Sequence, residues 1–236
     1  MMHLGRTQSV ATLVAVVSLS PGAWAQSRSR YNWEAEDSRY GFAVYSSGVP
    51  DHSYDATKVV AELDVSAPAL VDALQDFANY TRWYYQCVSV RVLERPKASV
   101  KVHVLEDGQI DLLSGSQPYT LFVLQRSGLL DDRWAIIRGA PRLSANRSLV
   151  IEFQSLDNYA YEAPAESVRM RMRGAWILSP IGPNRTRVVL IHDVDPDTSA
   201  PTFLVDPKLA DIAIETMRGL QRITRPARAQ PAFGGH

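Results

Sequence analysis

Three aspartates at alternate positions, Asp193, Asp195 and Asp197, form the first grouping in this chain of 236 residues that could hold an ion. A calcium loop needs glycine at its sixth position and glutamate at its twelfth, and Thr198 and Leu204 stand there instead, so the spacing argues against calcium. The five histidines (His3, His52, His103, His192, His236) show no metal-ligand spacing, and no HExxH, GxSxG, GxGxxG or CxxC run occurs. Neither a metal nor an organic cofactor is expected. Arg138 and His192 each sit in an apolar, strand-like run. Either could turn a polar group inward toward a headgroup or hydroxyl, or face solvent instead. Asp131, Asp132 and Arg133 read as a local ion-pair turn. Acid–base chemistry needs placed groups, and the candidates (Arg138, His192, Asp132 and the tyrosines) form no motif, so no catalytic residue is assigned.

The elements that must position these residues are mostly strands. Val168-Arg169-Met170-Arg171-Met172-Arg173 alternates apolar and basic, and Gly174, Trp176 and Leu178 continue the apolar series. This predicts a strand over Val168–Leu178 with one wet face and one bulky apolar face. The arginine row reads as a solvated face, or as a surface that meets a membrane transiently. Further strands are predicted at Lys58–Val65, Val88–Glu94, Val100–Leu105, Tyr119–Gln125, Arg133–Arg138, Ser148–Gln154 and Arg187–Val194. Their short connections imply antiparallel pairing.

Ser66 and Pro68 predict the start of a helix over Ala69–Phe77, and Ser199-Ala200-Pro201 the start of a longer one. In the longer helix Leu209, Ile212, Ala213, Met217, Leu220 and Ile223 fall on one stripe. Pro207 either kinks it or makes Asp206 the cap of a second start. A curved sheet packed on one long helix leaves part of its concave side unfilled, and that volume is a pocket. Met170, Met172 and Trp176 are its candidate wall, with Ile151 and Phe153 beside them. Ile212, Ala213, Met217 and Leu220 form the candidate lid side, and ordinary core packing would account for each of these residues as well.

The N-terminus carries Arg6, an apolar run from Val10 to Leu19 and the small-residue signature Ala23-Trp24-Ala25 before Gln26. That pattern predicts a signal peptide over residues 1–25, cleaved after Ala25, and a periplasmic or secreted protein. The 25 Lys and Arg residues balance 25 Asp and Glu, which argues against a nucleic-acid partner. Cys87 is the only cysteine, so no internal disulfide forms, and it reads as a buried small hydrophobe. Residues 26–225 read as one domain, and the Pro-, Ala- and Gly-rich segment from 226 to 236 as a disordered tail.

Several of these pieces, in this order, resemble the START-type lipid-transfer domain family. Val59-Val60-Ala61-Glu62-Leu63-Asp64-Val65-Ser66-Ala67-Pro68, a strand leading into a helix, is followed by Tyr80 and Trp83. Gly128-Leu129-Leu130-Asp131-Asp132-Arg133-Trp134 is similar to the family's turn into an Arg-Asp strand, although it lacks the prolines and has no acid after the arginine. The most specific stretch is Gly174-Ala175-Trp176-Ile177-Leu178-Ser179-Pro180, then the strand Val188–Val194, Asp195-Pro196 and Pro201 before the last helix. The likeness spans roughly residues 40 to 223. It implies an α+β helix-grip fold, a curved antiparallel sheet of about seven to nine strands wrapped around the C-terminal helix. It also implies a tunnel for one lipid, sterol or similar hydrophobic molecule. Polyketide cyclases and aromatases share that fold, so an enzyme using the same pocket is the alternative to a carrier.

Overall fold

Along β3 (Ala56–Leu63) Val59, Ala61 and Leu63 are buried while Lys58 and Glu62 turn outward, and this two-residue period fixes which side of the sheet meets the core. The computed structural model describes residues 30–225, apart from 129 and 163. The signal-peptide reading of residues 1–25 and the tail reading of 226–236 lie outside the described residues.

From Tyr31 onward the chain forms a ten-stranded sheet and a separate two-stranded hairpin. The sheet begins with β1 (Glu34–Ala35), β2 (Ala43–Ser47) and β3, and continues after α1 (Ala67–Gln75) and a 3-10 helix (Phe77–Arg82). Its other members are β4 (Cys87–Glu94), β7 (Tyr119–Gln125), β8 (Asp132–Leu143), β9 (Leu149–Ser155), β10 (Ser167–Arg169), β11 (Arg171–Gly182) and β12 (Arg185–Asp195). The hairpin is β5 (Lys101–Val104) with β6 (Ile110–Ser114), and α2 (Thr202–Thr224) closes the fold. The strand order is β1-β2-β3-β12-β11-β9-β8-β7-β4, with β10 beside β8. Val100–Leu105, predicted as a sheet strand, belongs to the hairpin instead.

The predicted strand Val168–Leu178 divides at Met170. Its first part, β10, runs parallel to the start of β8, against the antiparallel expectation, while β11 pairs with β9 and β12. The cause is the end of β9 at Ser155. There the Met172 N–H bonds the Ser155 hydroxyl at 2.8 Å, and the Met170 N–H crosses to the Trp134 carbonyl at 2.8 Å. Gly174 faces Phe153 on one side and His192 on the other, and a Cβ on Gly174 would lie 2.6 Å from the Phe153 ring and 1.9 Å from the Ile191 carbonyl oxygen. Only glycine lets that ring lie over the strand.

The convex face carries a small core of its own. Phe122, Trp134 and Ile136 are covered by Leu156, Tyr159 and Tyr161, with Tyr161 stacked on Phe122 at 4.7 Å. Arg169 lies over Trp134 at 4.8 Å and donates to the Leu156 carbonyl at 2.6 Å. Arg173 reaches Asp193 at 2.9 Å and Asp51 at 2.7 Å, so of the arginine row Arg171 is the most exposed, its side chain 62% exposed and only loosely paired with Asp195 at 3.9 Å.

Asp193 is almost fully buried and also accepts from the Tyr31 hydroxyl and from the His52 imidazole, each at 2.8 Å. Burial alone would raise its pKa. The hydrogen bond from His52, the Arg173 charge and the Tyr31 hydroxyl outweigh that effect and hold it below the ordinary carboxylate value. Asp193 is thus committed to holding strands and loops together. Among the described residues no group of three or more His, Cys, Asp or Glu is placed to hold a metal ion.

Helix α2 is continuous through Pro207. The proline sits in the second turn, where its missing N–H affects only the carbonyl of exposed Phe203. Asp206 does not cap a second start. Its carboxylate accepts the Asp55 N–H at 3.1 Å, and the Tyr54 hydroxyl donates to the carbonyls of Thr198 and Ala200, so the β2–β3 loop ties down the start of α2. Neither helix has a side-chain cap: Ser66 holds the N-cap position of α1 without such a bond, and Pro201 precedes α2 in place of the expected serine. No helix among the described residues is long and apolar enough to cross a membrane.

Candidate functional site

Two hollows lie against the inner sheet face and share one wall residue, His192. The smaller, about 40 Å³, is an aromatic chamber. Trp176 and Met172 of β11 and Ile151 and Phe153 of β9 line it, facing Tyr80, Trp83, Tyr84 and Tyr119. Trp83 meets Trp176 edge-on at 6.2 Å. The Tyr80 hydroxyl donates to the Leu74 carbonyl, and burial, reinforced by its neighbours, raises its pKa far above the ordinary phenol value.

The larger hollow, about 360 Å³, lies beneath the first three turns of α2. Met170, Val194, Val205, Leu209 and Ile212 supply apolar wall, and exposed Arg126, Leu204 and Lys208 stand at its rim. Two methionines from one alternating run therefore serve different hollows, Met170 the larger and Met172 the chamber, because the chain changes sheet partner between them.

Four buried polar atoms in these walls have no hydrogen-bond partner: both ring nitrogens of His192, the Gln125 amide nitrogen and the Trp83 indole nitrogen. Buried polar groups in folded proteins are nearly always satisfied, so such a cluster marks a place where something else supplies the partner. Burial lowers the His192 pKa to about 4, with Asp193 pulling weakly the other way, so the imidazole is neutral at pH 7. The Tyr84 phenol is raised by burial, and the nearby Gln125 side chain opposes that shift.

Three expectations need correction. Arg138 projects from the convex side and is exposed, opposite the Ile137 face. The two-residue period places it with Thr120 and Gln154 on the outside of the sheet. Ala213, Met217 and Leu220 are fully buried core and line neither hollow, since α1 and Trp83 fill the space beneath that half of α2. Arg133 makes no ion-pair turn with its aspartates: it is buried, and donates to the carbonyls of Pro196 and Asp131 at 2.6 Å each. Cys87 is half-buried, and burial pushes its thiol up to about 12. Gln125 and Leu209 were open to discovery from pattern alone. Gln125 shares parity with Tyr119, Leu121 and Val123, and Leu209 belongs to the helix stripe.

The His192 shift carries a stability consequence. Between its unfolded value of 6.5 and about 4, the unfolded chain binds a proton at His192 that the native chain does not. Stability therefore falls as pH drops across that window and levels off below it. Each pH unit there is worth about 1.4 kcal/mol. The expected result is that wild type loses more stability to urea between pH 7.5 and pH 5 than His192→Phe does. Equal losses in the two proteins would show that His192 protonates freely in the native state.

A ten-stranded sheet bent around one long helix, with an apolar hollow between them, defines a helix-grip domain with an internal cavity. Residues 63–217 match the family described as polyketide cyclase / dehydrase and lipid transport, and the chain belongs to that family. It is 20% identical over 191 residues to an uncharacterized protein of Pseudomonas aeruginosa, covering 80% of this chain and 85% of that one. Human STARD10 superposes with a TM-score of 0.68 at 19% identity, covering 88% of this chain and 80% of its own. A STAR-related lipid transfer protein from Xanthomonas axonopodis superposes with a TM-score of 0.66 at 15% identity, covering 82% and 99%. These structural likenesses establish the fold.

Proposed function

We propose that residues 26–225 form a domain that binds, and carries outside the cytoplasm, a hydrophobic small molecule held beneath α2. The observation that carries this reading is the 360 Å³ apolar hollow with unpartnered polar atoms in its wall. Its volume falls at the lower end of the range of small-molecule sites, which suits a single-chain or compact guest. Each methylene buried contributes about 0.8 kcal/mol, so about ten contribute on the order of 8 kcal/mol before ordering costs. The signal-like N-terminus supports export. The family description supports a lipid or a similar hydrophobic guest.

The test is to purify the full-length protein, extract it with organic solvent and identify co-purified hydrophobes by mass spectrometry. A stoichiometric hydrophobe is expected. Finding none, together with no binding of a fluorescent fatty probe, would refute the reading. Ala200 lines the hollow, and an indole at that position would occupy guest volume. Ala200→Trp is therefore expected to weaken probe binding at least about tenfold, the equivalent of roughly two methylenes of lost burial.

Cyclase-like or aromatase-like chemistry in the same hollow is the competing reading, and its one support is the neutral, buried His192. An imidazole with so low a pKa is a weak base at pH 7. Turnover of an aromatic polyketide that vanished in His192→Phe would favour the enzyme.

A further inference from the structure

The polar atoms in the wall of the larger hollow have a definite chemistry. Neutral His192 has one nitrogen that donates and one that accepts, and the Gln125 amide nitrogen only donates. Both side chains are more than nine-tenths buried and both line the larger hollow; neither His192 nitrogen has a protein partner, and the Gln125 amide nitrogen makes no well-formed hydrogen bond, having only the Tyr84 phenol nearby. Leaving such groups unmatched costs about 1–3 kcal/mol each, which a guest atom in the right place recovers.

The charges around the hollow restrict what that atom belongs to. No aspartate or glutamate lines it. Its one buried cation, Arg133, is bonded to the carbonyls of Pro196 and Asp131. Arg126 and Lys208 are exposed at the rim. A carboxylate or phosphate drawn inward to His192 would therefore lie in apolar surroundings without a free counter-charge, which costs far more than burying a hydroxyl that finds its hydrogen bonds.

Resting on the carrier reading above, we propose that the guest is an uncharged hydrophobe bearing a hydroxyl or carbonyl oxygen, held by His192 and Gln125 at the inner wall of the larger hollow. A hydroxyl suits either group, because it can accept from the Gln125 amide or donate to the imidazole. The apolar remainder of the guest lies along Met170, Val194, Leu209 and Ile212.

Three probes of equal chain length separate the possibilities on the delipidated full-length protein at pH 8: 1-dodecanol, dodecanoate and dodecane, each displacing a fluorescent fatty probe. Dodecanol is expected to bind at least about tenfold more tightly than either of the others. His192→Phe and Gln125→Leu each reduce dodecanol to the level of dodecane while leaving dodecane unchanged or tighter. The second variant guards against a folding defect in the first. Dodecanoate binding most tightly, with loss in Lys208→Gln or Arg126→Gln, would put the headgroup at the rim and overturn the proposal. So would equal loss of all three probes in the His192 and Gln125 variants. If no probe binds to wild type, the carrier reading itself fails, and this proposal with it.

Discussion

Gly219→Ala is expected to destabilise the protein by about 4 kcal/mol, at the upper end of what single substitutions do, measured as a fall in the urea midpoint with an unchanged slope. Helix propensity alone argues the opposite, since alanine is worth about 1 kcal/mol more than glycine inside a helix. Packing decides the sign. A Cβ on Gly219 would lie 1.9 Å from the Trp83 carbonyl oxygen and 2.8 Å from its carbonyl carbon, both backbone atoms that cannot rotate aside. Relief by sliding α2 outward is resisted on both sides of the contact. The Tyr85 N–H bonds the Thr216 hydroxyl at 3.2 Å, and the Arg222 guanidinium reaches the Arg82 carbonyl at 3.2 Å. Because the first turns of the same helix wall the larger hollow, a displaced α2 should weaken guest binding as well. A Gly219→Ala protein as stable as wild type would show that the close approach is not required.

Asp193→Ala has the second large effect, a loss of about 4 kcal/mol, because removing one partner of a buried charge network strands the others. The His52 ring and the Tyr31 hydroxyl lose the acceptor they share, and Arg173 keeps only the half-exposed Asp51. The matched control is the next pair along the same two strands, where Arg171 stands opposite Asp195. Arg171 stands 3.9 Å from Asp195 with its side chain 62% exposed, so Arg171→Gln should change stability by less than about 1 kcal/mol. Acid acts in the same direction as the Asp193 substitution. The folded pKa of Asp193 lies below the unfolded one, so its contribution is present near neutral pH and is lost as pH falls through the folded value. Asp193→Ala and wild type should therefore converge in stability at low pH. If the gap between them stays constant down to acid unfolding, the charge network is not what holds these elements.

The particular places where sequence reasoning held and failed share one physical cause. The run from Val168 to Arg173 disclosed its two faces because one meets core and the other meets charge and solvent. The stripe from Leu209 to Leu220 disclosed the buried side of α2 for the same reason. The direction of Arg138 stayed open in the sequence because the strand before it, Trp134-Ala135-Ile136-Ile137, is buried on both faces. A segment distant in sequence, Leu156 to Tyr161, covers its convex side. With both faces apolar, the two-residue period leaves no trace in composition.

Periodicity records whether a residue meets apolar surroundings, and from it the chain alone determined most of the order of its strands and both helices, the inward parity of Met170, Met172 and Trp176, and the family to which that order points. It does not record whether those surroundings are side chains or empty volume. Only the tertiary structure decided that Met170 and Ile212 border a hollow while Met217 and Leu220 are packed solid, because what fills the space beneath α2 comes from α1 and Trp83, more than a hundred residues away in the chain. The orphaned nitrogens of His192 and Gln125 depend equally on every element around them, since a missing partner is a property of the whole enclosure and of no local pattern.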